Sequence, residues 1–310
     1  MIDVQTKINS KLRFGVTFLA NAPMDKLVRQ YKHVERLNFD IAGTGDQFVN
    51  YIDPKKLWYE QWTLTTAWAV NTKHIKIGTF VTAFPYRNPA ILVKQAVTLD
   101  HISGGRLELG LGAALESDPF YKMTGTPNWK PRERIARFRE YVEIVGLLLR
   151  NEETNYEGKY YSIKGAIMNP LSIQKPRLPI AIAANQPRMI KNAVQYADTW
   201  ITLGSPKMLD EIQRRNQLAD KYCNELGRDP RSLRRSYWMY EHNALANEGF
   251  LTCYESEDYF RELALSIIEV GINEILVSYP CREEQLPVFE KIAQSVIPEL
   301  KKEYTRLSYQ

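Results

Sequence analysis

Eight short β-like runs, alternating with longer stretches whose apolar residues recur every three or four positions, set the first constraint on this chain. The runs fall at residues 13–18, 39–43, 75–81, 107–111, 179–183, 199–202, 236–240 and 274–278. They are rich in Val, Ile, Leu, Phe and Gly and do not alternate cleanly, as parallel strands covered on both faces should read. The helix-like stretches span 24–37, 89–102, 132–149, 187–196, 206–226, 258–270 and 283–297. In the first of them Leu27, Val28, Tyr31, Val34 and Leu37 share one stripe. Pro89 opens the next where a missing N–H costs nothing, and Gly104 and Gly105 close it. Eight such units make either a closed barrel or an open doubly wound sheet. No GxGxxG follows the first run and no antiparallel interlude divides the series, so the expected fold is an α/β (β/α)8 TIM barrel. A single domain over residues 1–310 is within the ordinary size of that fold.

Two segments break the rhythm. A loop of residues 113–130 follows the fourth strand, and residues 154–168 read as a β-hairpin or irregular excursion before the fifth. The first residues and the tail beyond Leu300 are expected to be frayed or peripheral. With 44% hydrophobic and 25% charged residues the chain can bury a large core, which argues against disorder. Its formal charge of +5, from 41 basic and 36 acidic residues, is too mild for a nucleic-acid partner. The three cysteines, Cys223, Cys253 and Cys281, fit neither a disulfide framework nor a zinc site, and no metal is expected. There is no signal-peptide pattern and no uncharged apolar run of about 18 residues, so the expectation is a cytoplasmic protein without a membrane partner.

Barrel chemistry sits where strands end. Those positions carry GTGDQF after the second strand, TAFPYRN after the third, GAALESD after the fourth, AANQPRMI after the fifth, and Glu241, His242 and Asn243 after the seventh. Of four histidines only His242 falls at a strand end, where it is either a site residue or a loop residue; His33, His74 and His101 read as structural. No HExxH, GxSxG or P-loop occurs. So few nucleophiles and metal ligands point to a borrowed organic cofactor. In AANQPRMI, Ala183 and Ala184 let a ligand approach the backbone. Pro187 starts a helix whose N–H groups, at Asn185, Gln186 and Arg188, favour an anion, with the Arg188 guanidinium beside it. The same pattern is also an ordinary helix start. Asp46 can act as an acid/base group or accept from a ring N–H, or it can cap a helix or pair with Arg87. Glu116 and Asp118 lie in the loop after the fourth strand, where solvated carboxylates are the usual outcome. Phe18, Phe48, Phe84, Tyr240 and Tyr279 suit an apolar substrate cavity and equally a barrel core.

The block HIKIGTFVTAFPYRNPAILVKQAVTLDHISGGRLELGLGAA, residues 74–114, closely resembles the luciferase-like family of flavin- and coenzyme F420-dependent oxidoreductases. Looser likeness extends over FDIAGTGDQF, YEGKYYSI, NPLSIQKPRLPIAIAAN and AVQYADTWI. The resemblance implies a barrel that holds a flavin or deazaflavin ring near Asp46, Thr79, Phe80, Val81, Gly112, Ala113 and Ala114, and the cofactor phosphate at Ala184, Asn185 and Gln186. It also implies a non-proline cis peptide at Phe80–Val81. Asp46-Gln47-Phe48 is similar to the Asp-His-Phe of the F420 branch, with Gln in place of His, and an acidic residue that the branch carries would fall at Leu115, one position before Glu116. The two-histidine pattern of light-emitting members is not matched. F420-dependent hydride transfer to or from a small organic substrate is therefore the first expectation, with Asp46 holding the cofactor and His242 or Glu116 moving the proton. The alternatives are an FMN-dependent monooxygenase served by a separate flavin reductase, and a non-catalytic flavin-binding relative. The resemblance further implies a homodimer through the second and third helices, for which Trp58, Trp62 and Trp68 in the run 57–70 are candidates.

Overall fold

A computed structural model describes residues 11–205, 208–239, 241 and 249–308. In chain order the elements are β1 (Arg13–Phe18), α1 (Met24–Arg36), β2 (Ile41–Thr44), α2 (Gln61–Asn71), β3 (Lys76–Thr79), β4 (Thr82–Ala83), α3 (Pro89–Ser103) and β5 (Leu107–Gly112). There follow α4 (Phe120–Thr124), α5 (Pro131–Leu148), β6 (Glu153–Glu157), β7 (Ser162–Ile167), β8 (Ile180–Ala183), α6 (Pro187–Tyr196), β9 (Thr199–Gly204) and α7 (Leu209–Glu225). β10 (Arg234–Met239), α8 (Glu257–Glu269), β11 (Glu274–Ser278), α9 (Leu286–Lys291) and α10 (Ile297–Ser308) complete the series, the last two joined by a π-helical turn at Ile292–Val296.

Contacts group the chain into two compact units, one drawn from residues 1–18, 33–42 and 184–310, the other from 19–32 and 43–183. In the first, β9, β10, β11 and β1 pair in that order, all parallel. Their core positions are filled by Phe14, Val16, Trp200, Ile201, Tyr237, Ile275 and Leu276. Burial of Phe14–Phe18 and of Glu274–Val277 accounts for the lack of polar alternation in β1 and β11. Of the two readings of the tail, frayed or peripheral, the frayed one is corrected here. The chain beyond Leu300 continues as α10, because Lys301 reaches back to Asp40 at 2.8 Å and Leu300 is buried. The single helix expected over 283–297 is instead a short 3-10 turn, α9 and the π-helical turn.

In the second unit β3, β4 and β8 each pair in parallel with β5. Helix α3 forms where the sequence signals it. Asn88 caps it by accepting from Ala90 N–H, Pro89 takes the first position, and Gly104 ends it at φ 65°. The aromatic residues of α2 are core: Trp68 is fully buried and stacks on Tyr31 at 4.3 Å between centroids, about 0.5–1.5 kcal/mol beyond the area it buries. The block that carries the family resemblance also carries structure. Buried Arg106 donates to the carbonyls of Ala69, Thr72, Ile75 and Ser103 and to the Thr72 hydroxyl. Asp100 accepts from the Ile173 and Gln174 N–H groups and from the Gln174 amide.

Residues 153–167 form the antiparallel hairpin β6–β7. Its turn is pinned by Glu140 of α5, which accepts from the N–H groups of Lys159 and Tyr160. Arg137, one helical turn earlier, lies 4.5 Å from the ring centroids of both Trp129 and Tyr160. The X-Pro bonds Asn169–Pro170 and Lys175–Pro176 are cis. Among the described residues no helix is long and apolar enough to cross a membrane.

Candidate active site

Four glycines at strand ends shape the first part of the site. A Cβ on Gly43 would lie 1.8 Å from the carbonyl oxygen of Gly78, and one on Gly110 would lie 1.9 Å from that of Thr79. A Cβ on Gly78 would strike the Phe80 ring, and one on Gly112 the Val81 side chain. Glycine thus lets the backbones close in and leaves room for Phe80 and Val81 between β3 and β4. The Phe80–Val81 peptide is cis, as the resemblance implies. Phe80 is buried and its N–H donates to the Thr44 carbonyl, while Val81, Ala113 and Ala114 keep partial exposure. Ala114 sits at φ 58°, in the left-handed region that non-glycine residues seldom occupy. Thr79 is fully buried, and its hydroxyl exchanges bonds with the Gly110 carbonyl and N–H at 2.9 and 2.8 Å.

Asp46 follows directly. Its side chain is 2% exposed and its Oδ2 accepts from Arg87 at 2.5 Å and from the Ala83 N–H at 3.1 Å. Arg87 also donates to Glu60 at 2.9 Å, and Glu60 in turn caps α2 by accepting from Thr63 N–H. Burial pushes the Asp46 carboxyl up from its ordinary range, with the Arg87 guanidinium pulling it back. The pairing with Arg87 that the sequence offered as the structural alternative is therefore present. Gln61 of α2 ties the same turn: its amide donates to the Thr44 carbonyl at 2.6 Å and accepts from the Thr82 hydroxyl at 2.9 Å. Fully buried Tyr141 of α5 brings a hydroxyl with no hydrogen-bond partner among the described residues into the field of Arg87 and Asp46.

Asp118 corrects the expectation of a solvated carboxylate. It is 5% exposed; Oδ2 accepts from Tyr86 at 2.6 Å and from Tyr51 at 2.9 Å, and Oδ1 accepts from the Phe120 N–H. Sequence reading passed over both tyrosines, although Tyr86 stands inside TAFPYRN and beside Arg87. Glu116, the expected acid/base group of this loop, is exposed.

In the other unit, Ala184 is buried and its carbonyl accepts from the Trp200 indole. Asn185 is turned to β9, accepting from Thr202 Oγ1 and Leu203 N–H and donating to the Leu203 carbonyl. Gln186 makes no side-chain cap on α6, so the first N–H groups of that helix are not taken by a cap, and Arg188 is exposed beside them. His242 and Tyr240 lie outside the described residues. Among the described residues no group of three His, Cys, Asp or Glu is placed to hold a metal ion.

A family profile described as luciferase-like monooxygenase matches residues 6–244, and the chain belongs to that family. The 5,10-methylenetetrahydromethanopterin reductase of Methanopyrus kandleri is 30% identical over 209 residues, 64% of this chain and 57% of that protein. The chain thus spans little more than half the length of the first curated relatives it matches. Among solved structures, the coenzyme F420 dependent tetrahydromethanopterin reductase from Methanopyrus kandleri aligns with a TM-score of 0.77 at 20% identity, over 94% of this chain and 99% of that one. An F420-dependent secondary alcohol dehydrogenase in complex with an F420-acetone adduct aligns with a TM-score of 0.77 at 18% identity, over 92% and 99%. These likenesses show the fold, the (β/α)8 barrel expected from the eight β-then-α units.

Proposed function

We propose that this protein is an F420-dependent oxidoreductase that moves a hydride to or from a small organic substrate. The observation that carries the reading is the glycine-framed turn at Phe80 and Val81, held by the Asp46–Arg87 pair. It occurs in a chain similar to one reductase and two dehydrogenases named for F420. Val81, Ala113 and Ala114 are small and partly exposed, which suits backbone contact with a flat ring; Thr79, Phe80 and Gly112 set the shape behind them. The cap-free start of α6 with Arg188 suits a phosphate, so Ala184, Asn185, Gln186 and Arg188 are assigned to that end. When bound, the deazaflavin supplies a carbon that gives or accepts a hydride. Asp46, with Oδ2 taken by Arg87 and Ala83, orients the ring-side turn. Glu116 and His242 are the candidates for proton transfer that the sequence offers.

Fluorescence titration with F420 and with oxidised and reduced FMN tests this. Binding of F420 and not of FMN supports it; binding of reduced FMN alone, with oxygen uptake, overturns it. That second outcome is the reading of a monooxygenase with a partner flavin reductase, favoured by the description of the family itself. We further propose a cytoplasmic homodimer joined through α2 and α3, whose Val70 and Ile91 are 66% and 58% exposed. Light scattering on the purified protein checks the dimer.

A further inference from the structure

We propose that Tyr51 is the residue that exchanges a proton with the substrate, and that Asp118 is the carboxylate that takes that proton up behind it. The inference rests on the hydride-transfer reading above and names the proton path and substrate class that go with it.

The loop after β2 contains Gln47 where the resemblance expects an imidazole, and an amide does not exchange protons at neutral pH. Phe48, Val49 and Asn50 follow, so the next ionisable side chain is Tyr51. Its hydroxyl donates to Asp118 at 2.9 Å, and the residue itself is 40% exposed. One end of the couple is thus a buried carboxylate and the other a tyrosine that keeps part of its surface exposed. Asp118 is fixed: its second oxygen accepts from Phe120 N–H, and Tyr86, stacked on Phe120 at 3.8 Å between centroids, donates to the first. Tyr51 is also held, since Asn50 Oδ1, just before it, accepts from the N–H groups of Ile52 and Asp53, just after it. Burial and the Asp118 carboxylate both keep the Tyr51 phenol above its ordinary range, with Tyr86 and Asp46 as the other ionisable groups facing it. The phenol therefore works as a neutral relay.

In the oxidising direction the substrate hydroxyl gives its proton to Tyr51 Oη as the Tyr51 proton passes to Asp118 Oδ2. The carbinol C–H bond would break with both electrons leaving as hydride, which a bound deazaflavin would accept, and the C=O bond would form. The proton held on Asp118 then returns through Tyr51, the exposed end of the couple, to solvent, and reduction runs the same steps backwards. Phe48, Ile52 and Leu115, on the same two loops as Tyr51 and Asp118, are 48%, 60% and 60% exposed. They point to a secondary or benzylic alcohol, or its carbonyl partner, with apolar substituents.

The test uses the full chain and the variants Tyr51→Phe, Asp118→Asn and Tyr86→Phe. F420 binding is read by fluorescence, single-turnover hydride transfer is read with cyclohexanol, benzyl alcohol and their carbonyl partners, and tyrosine ionisation is read by ultraviolet titration without cofactor. Tyr51→Phe is expected to bind F420 within about twofold of wild type and to lose hydride transfer by about 100- to 10,000-fold. Tyr86→Phe is expected to lose less than about tenfold, since the relay does not pass through it. In the cofactor-free titration Asp118→Asn should bring two tyrosines, Tyr51 and Tyr86, back towards their ordinary value, and Tyr51→Phe added to it should remove one of them from the curve. Near-wild-type transfer by Tyr51→Phe, a titration indifferent to Asp118→Asn, or no turnover of any probe by a wild type that binds F420 would each overturn the proposal alone. Failure of the wild type to bind F420 removes the hydride-transfer reading, and this proposal with it.

Discussion

Tyr86 donates to Asp118 at 2.6 Å across 32 residues of sequence, while its neighbour Arg87 holds Asp46 at 2.5 Å across 41. Two adjacent side chains of one 3-10 turn and its end thus tie the loop after β2 and the loop after β5 to the segment that follows β4.

Replacing Arg87 by Met leaves the Asp46 carboxylate buried without its cation, and should cost about 3–5 kcal/mol of stability. The pH dependence has a defined sign. A carboxyl whose folded pKa is raised binds its proton more tightly in the folded state, so stability falls as pH rises from the ordinary 3.8 through the raised value. Urea unfolding of Arg87→Met should therefore show a larger loss at neutral than at mildly acidic pH. An equal loss at both would contradict the assignment.

Tyr141→Phe should leave stability unchanged or raise it by about 1 kcal/mol, because the hydroxyl it removes is buried and unpartnered. Denaturant midpoints of the two proteins, with equal slopes, decide the matter. A clear destabilisation would mean that the hydroxyl is bonded.

Gly110→Ala should cost about 3 kcal/mol or more, since the new Cβ would meet the Thr79 carbonyl at 1.9 Å, and backbone on both sides cannot yield cheaply. Gly125→Ala makes the comparison. No atom stands within 4 Å there, so only the φ of 73° is penalised and the loss should be about 1 kcal/mol. Thermal unfolding of the pair reads the difference.

His33 gives the acid-side prediction. Burial lowers its pKa below 6.5 despite Glu290 at 3.1 Å, with Arg36 adding to the depression. The unfolded chain then takes up a proton that the folded chain refuses, and stability is lost as pH falls below 6.5. His33→Gln should flatten that part of the stability curve, and an unchanged curve would show that another group sets it.

The strands and helix ends were legible because their signals are local. β1 and β11 coincide with the apolar runs at 13–18 and 274–278, and Asn88, Pro89 and Gly104 mark α3 within a few residues of chain. Asp46 could be singled out for the same reason, by its place after a strand. What escaped the sequence depends on partners brought from far away. Asp118 reads as a solvated loop carboxylate until Tyr51 and Tyr86, 67 and 32 residues distant, are folded against it. Gln61 and Glu140 are polar helix residues with no signal of their own, and their roles lie in the Thr44 carbonyl and the hairpin turn they reach. The helical tail was missed because its anchor, Asp40, lies 261 residues earlier.

The double tie made by Tyr86 and Arg87 gives the loops the character of an exchangeable cassette. Each is fastened by one carboxylate, Asp46 or Asp118, so residues 47–49 and 115–117 can be regrafted as blocks while the fasteners and the strands beneath them stay as they are. A change of substrate range in this chain can then be sought by loop exchange between two fixed points, without rebuilding the core.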